Sequence, residues 1–482
     1  MVQVVLFDLD NTLAHTADLE DIRKYGKYDE LNEERLKGIR PYPKCKGIIE
    51  ALLNNGVRLG VVTNSGRRYA EILLEHLGIK DAFEVVVTYT DVGAEGMKPS
   101  PMGIRLALEK LGVPASERVL YIGDDYVDIV ASYKAGVLPI VPSWATRTPV
   151  SQMPAAVLST EHLIGDIHSP ENIKLIAERC AEANSFEIEK KWLYFAPLDL
   201  SSNVVTLKEQ LQVLCLGRYF SQKSRVTAAM HDGHELSQHI FEKELNPEFE
   251  APEYWVDLLT HCAGKIPEYM KEVSEGFDIV TVIPAKQEKP KRLEMMLRRM
   301  RQKTNMPALF VEDVFEFSPG AVSLKSVSAD SRFATVSDSL HLSGKCTEDV
   351  SGKKILIIDD VVTTGSTFAR AFELLEDAGA ALVVGLTLAK TVSIAEDNKP
   401  CVKCGRMMRL QKNKTDGGRF WGCTGFKDVL SPCKHTEPME VKECPKCGRS
   451  MFMKRNSYTG QQFISCEGWK MNPRCNYSEN IS

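Results

Sequence analysis

Two aspartates, Asp8 and Asp10, stand one residue apart at the end of the apolar run Val2 to Phe7. Carboxylates at that spacing can set a nucleophile and a general acid beside one metal ion. Further polar groups follow later apolar runs in order: Thr63 and Asn64, then Lys98 in MKPSP, then Gly123-Asp124-Asp125 with Asp128 one turn on. Hydroxyl, ammonium and carboxylates collected in this way suit phosphoryl transfer, which needs positioning and compensation of developing charge. A second constellation is Asp359, Asp360, Thr363, Thr364, Gly365, Ser366 and Thr367, directly after Ile355 to Ile358. Hydroxyls and free amides at a helix start suit a phosphate monoester, and paired carboxylates can hold vicinal ribose hydroxyls. A third is Cys401-x2-Cys404-x18-Cys423-x9-Cys433, repeated as Cys444-x2-Cys447-x18-Cys466-x8-Cys475. Each repeat offers four thiolates on two knuckles, the donor set of a tetrahedral structural zinc site.

Strands and helices must carry these groups. From Val2 to about Trp144, apolar runs alternate with amphipathic segments ending in Gly, which predicts a parallel, doubly wound sheet. In such sheets ligands lie at the carboxyl ends of strands, where the first set of polar groups falls. A second α/β unit is expected from about Phe195 to Thr391, with strands DIVTVIP and KKILIIDD and the helix TFARAFELLEDAG. Glu316 to Ser351, rich in Ser, Asp and Gly, reads as a mobile active-site loop or a surface insertion. The expected boundaries are 1–148, a linker or unassigned stretch at 149–195, 196–392, and two small modules at 399–438 and 442–480.

The first set of motifs resembles the haloacid dehalogenase superfamily, whose four ordered motifs are all present between residue 1 and about residue 144. The resemblance implies that Asp8 attacks phosphorus, that Asp10 protonates the leaving group and later activates water, that Thr63 (with Asn64 beside it) bonds the phosphoryl oxygens, and that Lys98 neutralises charge. It implies magnesium on Asp8, Asp124 and the Asp10 backbone carbonyl, with the roles of Asp125 and Asp128 open between them. About 27 residues separate Leu13 from Arg40, so any cap over the site is small and a bulky phosphorylated substrate, such as a nucleotide or a nucleic-acid end, has room.

The 355–367 segment looks like the 5-phosphoribosyl pyrophosphate (PRPP) signature of type I phosphoribosyltransferases. Lys286, at the place of that family's pyrophosphate loop, with Lys289, Lys291 and Arg292 beside it and Arg332 in the loop, resembles the ComF-like members. The cysteine repeats resemble the C-terminal zinc ribbons of type IA DNA topoisomerases. Trp421, Phe426, Lys454, Arg455 and Trp469, together with Arg409, Lys412, Lys414, Phe420 and Phe463, interleave cations with aromatics as single-strand binding requires.

Charge supports this division. The chain carries −5 overall, yet Lys399 to Ser482 holds 16 Lys and Arg against 7 Asp and Glu. A basic tail on an acidic body reads as a footprint for phosphates or as a solvated surface. No apolar run approaches a membrane span and no basic region or signal-peptide core stands before Val2, so the expected location is the cytoplasm, and there clustered CxxC pairs argue for metal rather than disulfides. The expectation is an α/β, multidomain enzyme using Mg2+ and two Zn2+, acting on a phosphorylated small molecule or nucleic-acid end and on PRPP, and docking single-stranded DNA or RNA without a membrane. A nucleotide-salvage enzyme with ribbons used for assembly, and a non-catalytic PRPP sensor gating the phosphatase, are the alternatives.

Overall fold

The apolar runs become strands because side chains alternate between the two faces of a sheet that is covered on both. Val5 and Phe7 enter one buried core, together with Leu73 and Leu120. Val4 and Leu6 enter another on the opposite face, with Val62, Ile104 and Tyr121. The computed structural model describes residues 2–480 apart from 146–149, 151, 159–172, 187–195, 199–210, 223, 287–288, 319–338, 345–347, 395–400, 405, 407, 413–418, 428–431, 439 and 456–461.

In the first sheet the order is Val85–Val87, Arg58–Val62, Val4–Phe7, Val119–Ile122, Leu138–Pro142 and Ala156–Leu158, all parallel. Val4–Phe7 lies at the centre, with Phe7 opposite Val61 on one side and Ile122 on the other. That register brings Asp8, Thr63 and Asp124 to one edge. Between Leu13 and Arg40 lie only short helices, Glu20–Tyr25 and Glu33–Leu36 among them, so the cap is as small as the spacing predicts.

The stretch expected to include a linker is divided between the two α/β units. Ala156–Leu158 adds a parallel strand to the first sheet. The Ile176–Ala183 helix packs into the core of the second, alongside Leu216, Trp255 and Leu388.

The second sheet, of seven strands, runs Leu309–Phe310, Ile279–Val282, Lys354–Val362, Leu382–Val392, Val213–Cys215 and Ala196–Leu198, these pairings being parallel except for the last, and Arg218–Phe220 also pairs with Leu382–Val392. Phe315–Phe317 and Leu340–Leu342 form a separate antiparallel pair, the first at the start of the expected 316–351 loop and the second within it. Arg332 lies outside the described residues.

A buried ion pair ties these elements together. Glu178 accepts from the Arg218 backbone N–H at 3.0 Å, Nε at 2.7 Å and Nη2 at 2.8 Å, while Arg218 Nη1 donates to the Tyr133 hydroxyl at 3.2 Å. Tyr133 belongs to the Tyr126–Ala135 helix of the first sheet, the same helix that carries Asp128.

A distinct unit comprises Phe220–Gly233 and Ser393–Ser482. The first ribbon pairs Met408–Lys412, Arg419–Cys423 and Thr436–Pro438, and the second Glu440–Glu443, Ser450–Arg455, Gln462–Cys466 and Ser478–Asn480. The Arg225–Asp232 helix, expected with the second α/β unit, belongs here instead: Ala228 is buried among Cys401, Met408, Trp421 and Cys423. The first ribbon's small core is thus completed by a helix face from upstream.

Candidate active site and metal centres

Asp8, at 8% exposure, lies just beyond the central strand. Lys98 Nζ is 2.6 Å from Asp8 Oδ1 and 2.6 Å from Asp128 Oδ1, and it donates to the Tyr121 hydroxyl at 2.8 Å. Ligand oxygens of Asp8, Asp124 and Asp128 lie within 4.8 Å of one another, close enough for one cation. Three clustered carboxylates and one ammonium leave excess negative charge in a buried place. Burial pushes the Asp8 carboxyl well above the usual range; Lys98 opposes this and Asp128, Asp124 and Asp10 reinforce it. Burial and the Asp128 charge push Asp124 up to about 7, against a hydrogen bond from Thr12 Oγ1 at 3.0 Å. For Lys98, burial alone would lower the ammonium, and the charges of Asp128 and Asp8 reverse this and hold it well above its ordinary value. The donor set therefore fits a hard divalent cation, which would favour the ionised forms of Asp8 and Asp124.

Asp125 and Asp128 separate cleanly. Asp125 caps the Tyr126–Ala135 helix, accepting from the Val127 N–H, and its own N–H donates to Asp128 Oδ2 at 3.1 Å. Asp128 turns inward to Lys98. Gly123 is required beside it, since a Cβ there would lie 2.4 Å from Asp128 Cγ.

Asp10 has different company. Its carboxylate accepts from Thr16 Oγ1 at 2.8 Å, Ser65 Oγ at 2.6 Å and the Tyr69 hydroxyl at 2.8 Å, and pairs with Arg23 of the cap. The side chain thus stands apart from the Asp8, Asp124 and Asp128 group, oriented by four donors. Asn11, next in line, holds φ 55° and takes the Thr16 N–H on Oδ1 at 3.1 Å, fixing the turn that follows Asp10 and carries Thr16 back to it.

Thr63 is buried at the next strand end, where its hydroxyl accepts the Ser65 N–H at 3.1 Å. Asn64 instead clasps the Lys98 main chain in both directions, accepting its N–H at 2.8 Å and donating to its carbonyl at 3.1 Å. Sequence reasoning missed Arg23, Ser65, Tyr69 and Tyr121; only the proximity of Ser65 to Thr63-Asn64 offered a signal. Arg23→Ala is expected to lower kcat for a phosphomonoester about tenfold to hundredfold by freeing the Asp10 carboxylate, while KM moves little. Steady-state kinetics checks this, and an unchanged kcat would remove Arg23 from the site.

Residues 17–141 match the haloacid dehalogenase-like hydrolase family. The chain carries a haloacid dehalogenase-like hydrolase domain. Residues 299–412 match the phosphoribosyl transferase domain family, so a phosphoribosyltransferase domain follows it. Among relatives of the hydrolase domain, a protein named Pyrophosphatase PpaX from Oceanobacillus iheyensis is 27% identical over 186 residues, 30% of this chain and 86% of that one. A phosphoglycolate phosphatase from Rhodospirillum rubrum is 36% identical over 133 residues, 27% of this chain and 54% of that protein. The solved HAD-superfamily hydrolase from Ehrlichia chaffeensis is 20% identical, with 35% of this chain and 98% of that chain covered and a TM-score of 0.27.

In the phosphoribosyltransferase domain, Asp359 and Asp360 lie near the end of Lys354–Val362, and Gly365 at φ 89° turns the chain into the Ser366–Asp377 helix. Thr364 and Ser366 share a hydroxyl contact at 2.9 Å, and Thr363 bonds Thr391 at 2.9 Å. Thr367 is in the first turn of that helix. Lys286 follows the adjacent Ile279–Val282 strand, its ammonium 5.2 Å from the Phe317 ring centre.

Both four-cysteine sets converge. Sulfur pairs lie at 3.7 Å (Cys401 and Cys433), 3.4 Å (Cys404 and Cys423), 3.7 Å (Cys444 and Cys475) and 3.5 Å (Cys447 and Cys466). Metal–sulfur bonds of about 2.3 Å in a tetrahedron put sulfurs about 3.8 Å apart, so the clusters fit zinc ribbons. The Arg406 and Arg449 side chains of the shared Cys-Gly-Arg turns lie against Gly425 and Gly468, where a Cβ would come within 2.4 Å and 2.7 Å of a guanidinium nitrogen. These arginines therefore have a structural place.

Among the aromatics, Trp421 is 9% exposed and belongs to the ribbon core, which corrects its expected place on a binding face. It stands two residues before the ligand Cys423, hence on the same strand face as the metal cluster. By contrast Phe426 is 57% and Trp469 44% exposed, at equivalent places three residues past the third cysteine of each set. Lys454 Nζ and the Arg474 guanidinium lie 5.9 Å and 5.7 Å from the Trp469 ring centre. The side chains of Arg409, Lys412 and Arg455, and the whole of Lys414, lie outside the described residues.

Proposed function

We propose that this chain is a magnesium-dependent phosphomonoesterase joined to a PRPP-binding phosphoribosyltransferase domain, and that its two zinc ribbons dock it on single-stranded DNA or RNA. The observation that carries the first part is Lys98 bridging Asp8 and Asp128 beside Asp124, with Asp10 held separately by Arg23, Ser65, Thr16 and Tyr69. On this reading Asp8 is the attacking carboxylate and Asp10 the one that moves protons. Asp8 attacks phosphorus as the ester oxygen leaves with a proton from Asp10. Asp10 then takes a proton from water, which displaces Asp8 from the phosphoryl group and releases phosphate. In this mechanism Lys98 and Thr63 meet the phosphoryl oxygens during both steps. Magnesium, which Asp8, Asp124 and Asp128 would hold, supplies charge compensation at the same oxygens. Release of phosphate from a panel of phosphomonoesters, with magnesium and with chelator, tests this reading; no turnover of any of them in magnesium would refute it.

For the tail, the supporting observation is the exposed Trp469 flanked by Lys454 and Arg474, repeated in outline by exposed Phe426. Trp469→Ala is expected to weaken binding of a single-stranded oligonucleotide by roughly 1–3 kcal/mol, the worth of one stacked base. Trp421→Ala is expected to destabilise the first ribbon instead. Fluorescence anisotropy on the zinc-loaded protein separates the two, with affinity falling at a log-log slope of about −0.7 per phosphate contacted as salt rises. Equal affinity of wild type and Trp469→Ala would make the ribbons assembly modules and favour the salvage reading.

A further inference from the structure

No sequence motif marks the Glu235–Leu245 helix, yet it reaches the ligand end of the second sheet. The Lys243 ammonium lies 2.5 Å from Asp360 Oδ2, between residues 117 positions apart. Both side chains are mostly buried but retain an open side, at 18% and 17% exposure. The neighbouring Asp359 accepts the Asp360 N–H at 2.9 Å. Burial and the Asp360 charge push Asp359 up to about 8, with Lys243 pulling the other way. The Lys243 ammonium and the Asp359-Asp360 pair therefore face the same loop.

A phosphorylated sugar needs cations, and the positions of the described ones differ. Lys390 is 4% exposed and its ammonium donates to the Thr363 carbonyl at 3.2 Å, which braces the loop from below. Lys286 stands over the Phe317 ring after another strand. Lys243 alone of these three shares a carboxylate of the Asp359-Asp360 pair. In a ribose 5-phosphate bearing pyrophosphate at C1, that group is attached on the ring face that carries the 2- and 3-hydroxyls. A cation that shares the carboxylate accepting those hydroxyls is therefore on the pyrophosphate side. Exchange of one anionic partner for another keeps the ammonium hydrogen-bonded throughout, and bonds from an ammonium to phosphate oxygens are charge-assisted.

We propose that Lys243 binds the pyrophosphate group of PRPP, with the sugar hydroxyls on Asp359 and Asp360; this rests on the PRPP-binding reading above. Lys243 then has two partners in turn, Asp360 when no sugar is bound and the pyrophosphate oxygens when it is. Ribose 5-phosphate, which lacks the pyrophosphate, gains nothing from it.

Calorimetry on the full chain in magnesium, with PRPP and with ribose 5-phosphate, tests the assignment. Lys243→Met is expected to weaken PRPP at least about tenfold while changing ribose 5-phosphate by less than about threefold, and Lys243→Arg is expected to retain PRPP within about threefold. Equal loss for both ligands in Lys243→Met would make Lys243 only a brace for Asp360 and overturn the proposal, as would no loss for either. Asp360→Asn, which is expected to weaken both ligands, distinguishes the underlying reading. If wild type binds neither ligand, or if Asp360→Asn leaves both affinities unchanged, the sugar site itself is misplaced and Lys243 falls with it.

Discussion

Asp8→Asn is expected to lower kcat for a phosphomonoester by about a thousandfold or more, because the nucleophile is removed while its surroundings are kept. The amide matches the carboxylate in shape, can still contact Lys98, and removes one negative charge from a group that carries too many. Folding should therefore be undisturbed or slightly improved. Zinc content and oligonucleotide affinity should match wild type, since the ribbons form a unit of their own. Continuous phosphate release, with metal analysis on the same preparation, checks all three. Turnover within about tenfold of wild type would remove Asp8 from the nucleophile's role.

The second large effect concerns stability. Glu178 and Arg218 are 1% and 4% exposed in their side chains, and the carboxylate takes three N–H donors from one arginine. Glu178→Gln is expected to destabilise the unit by roughly 3–5 kcal/mol, since it leaves a buried guanidinium without its counter-charge. Glu178→Gln with Arg218→Met should cost less than Glu178→Gln alone. The pH dependence has a definite sign. Burial by itself would raise the Glu178 carboxyl, and the Arg218 charge and hydrogen bonds overcome that and bring it from 4.5 to about 2. A carboxyl depressed on folding contributes stability in full above its unfolded value, and loses it as pH falls from about 4.5 towards 2; the depression is worth roughly 3 kcal/mol. Urea melts at pH 7 and near pH 3 should show this loss in wild type and a smaller one in Glu178→Gln. Equal acid sensitivity in the two proteins would contradict the assignment.

Much of the site was legible because short-range pattern and strand-end placement do the positioning. Asp8, Thr63 and Asp124 each follow an apolar run, and a parallel sheet in register brings strand ends together without further instruction. The two cysteine clusters were legible for a similar reason, since two CxxC knuckles and a doubled spacing name the residues that come together. What was not legible depends on long-range convergence. Arg23 meets Asp10 only because the short cap folds back, and Tyr121, on a strand beside the central one, meets Lys98 only because the segment after the Tyr89–Gly96 helix returns to it. Lys243 finds Asp360 across 117 positions, and Ala228 joins the first ribbon from a helix far upstream. Trp421 is a different case. Alternation along its strand places it with Cys423, a face assignment that the Ile464 and Cys466 pair repeats in the second ribbon's core. Composition suggested stacking there; the period-2 geometry decides for packing.

The central claim is that phosphate passes through a covalent bond to Asp8 while Asp10 moves the protons. Asp10→Asn should slow the second half of that cycle more than the first when the leaving group is a good one, such as an aryl phosphate that departs without a proton. Brief reaction of this variant with a labelled aryl phosphate and magnesium, followed by acid quench and peptide mass analysis, is the direct measurement. The account predicts phosphate on the peptide that contains Asp8, lost on treatment with hydroxylamine as an acyl phosphate must be. Turnover by the wild-type chain with no phosphate bound to that peptide, or with phosphate bound at another residue, would contradict it.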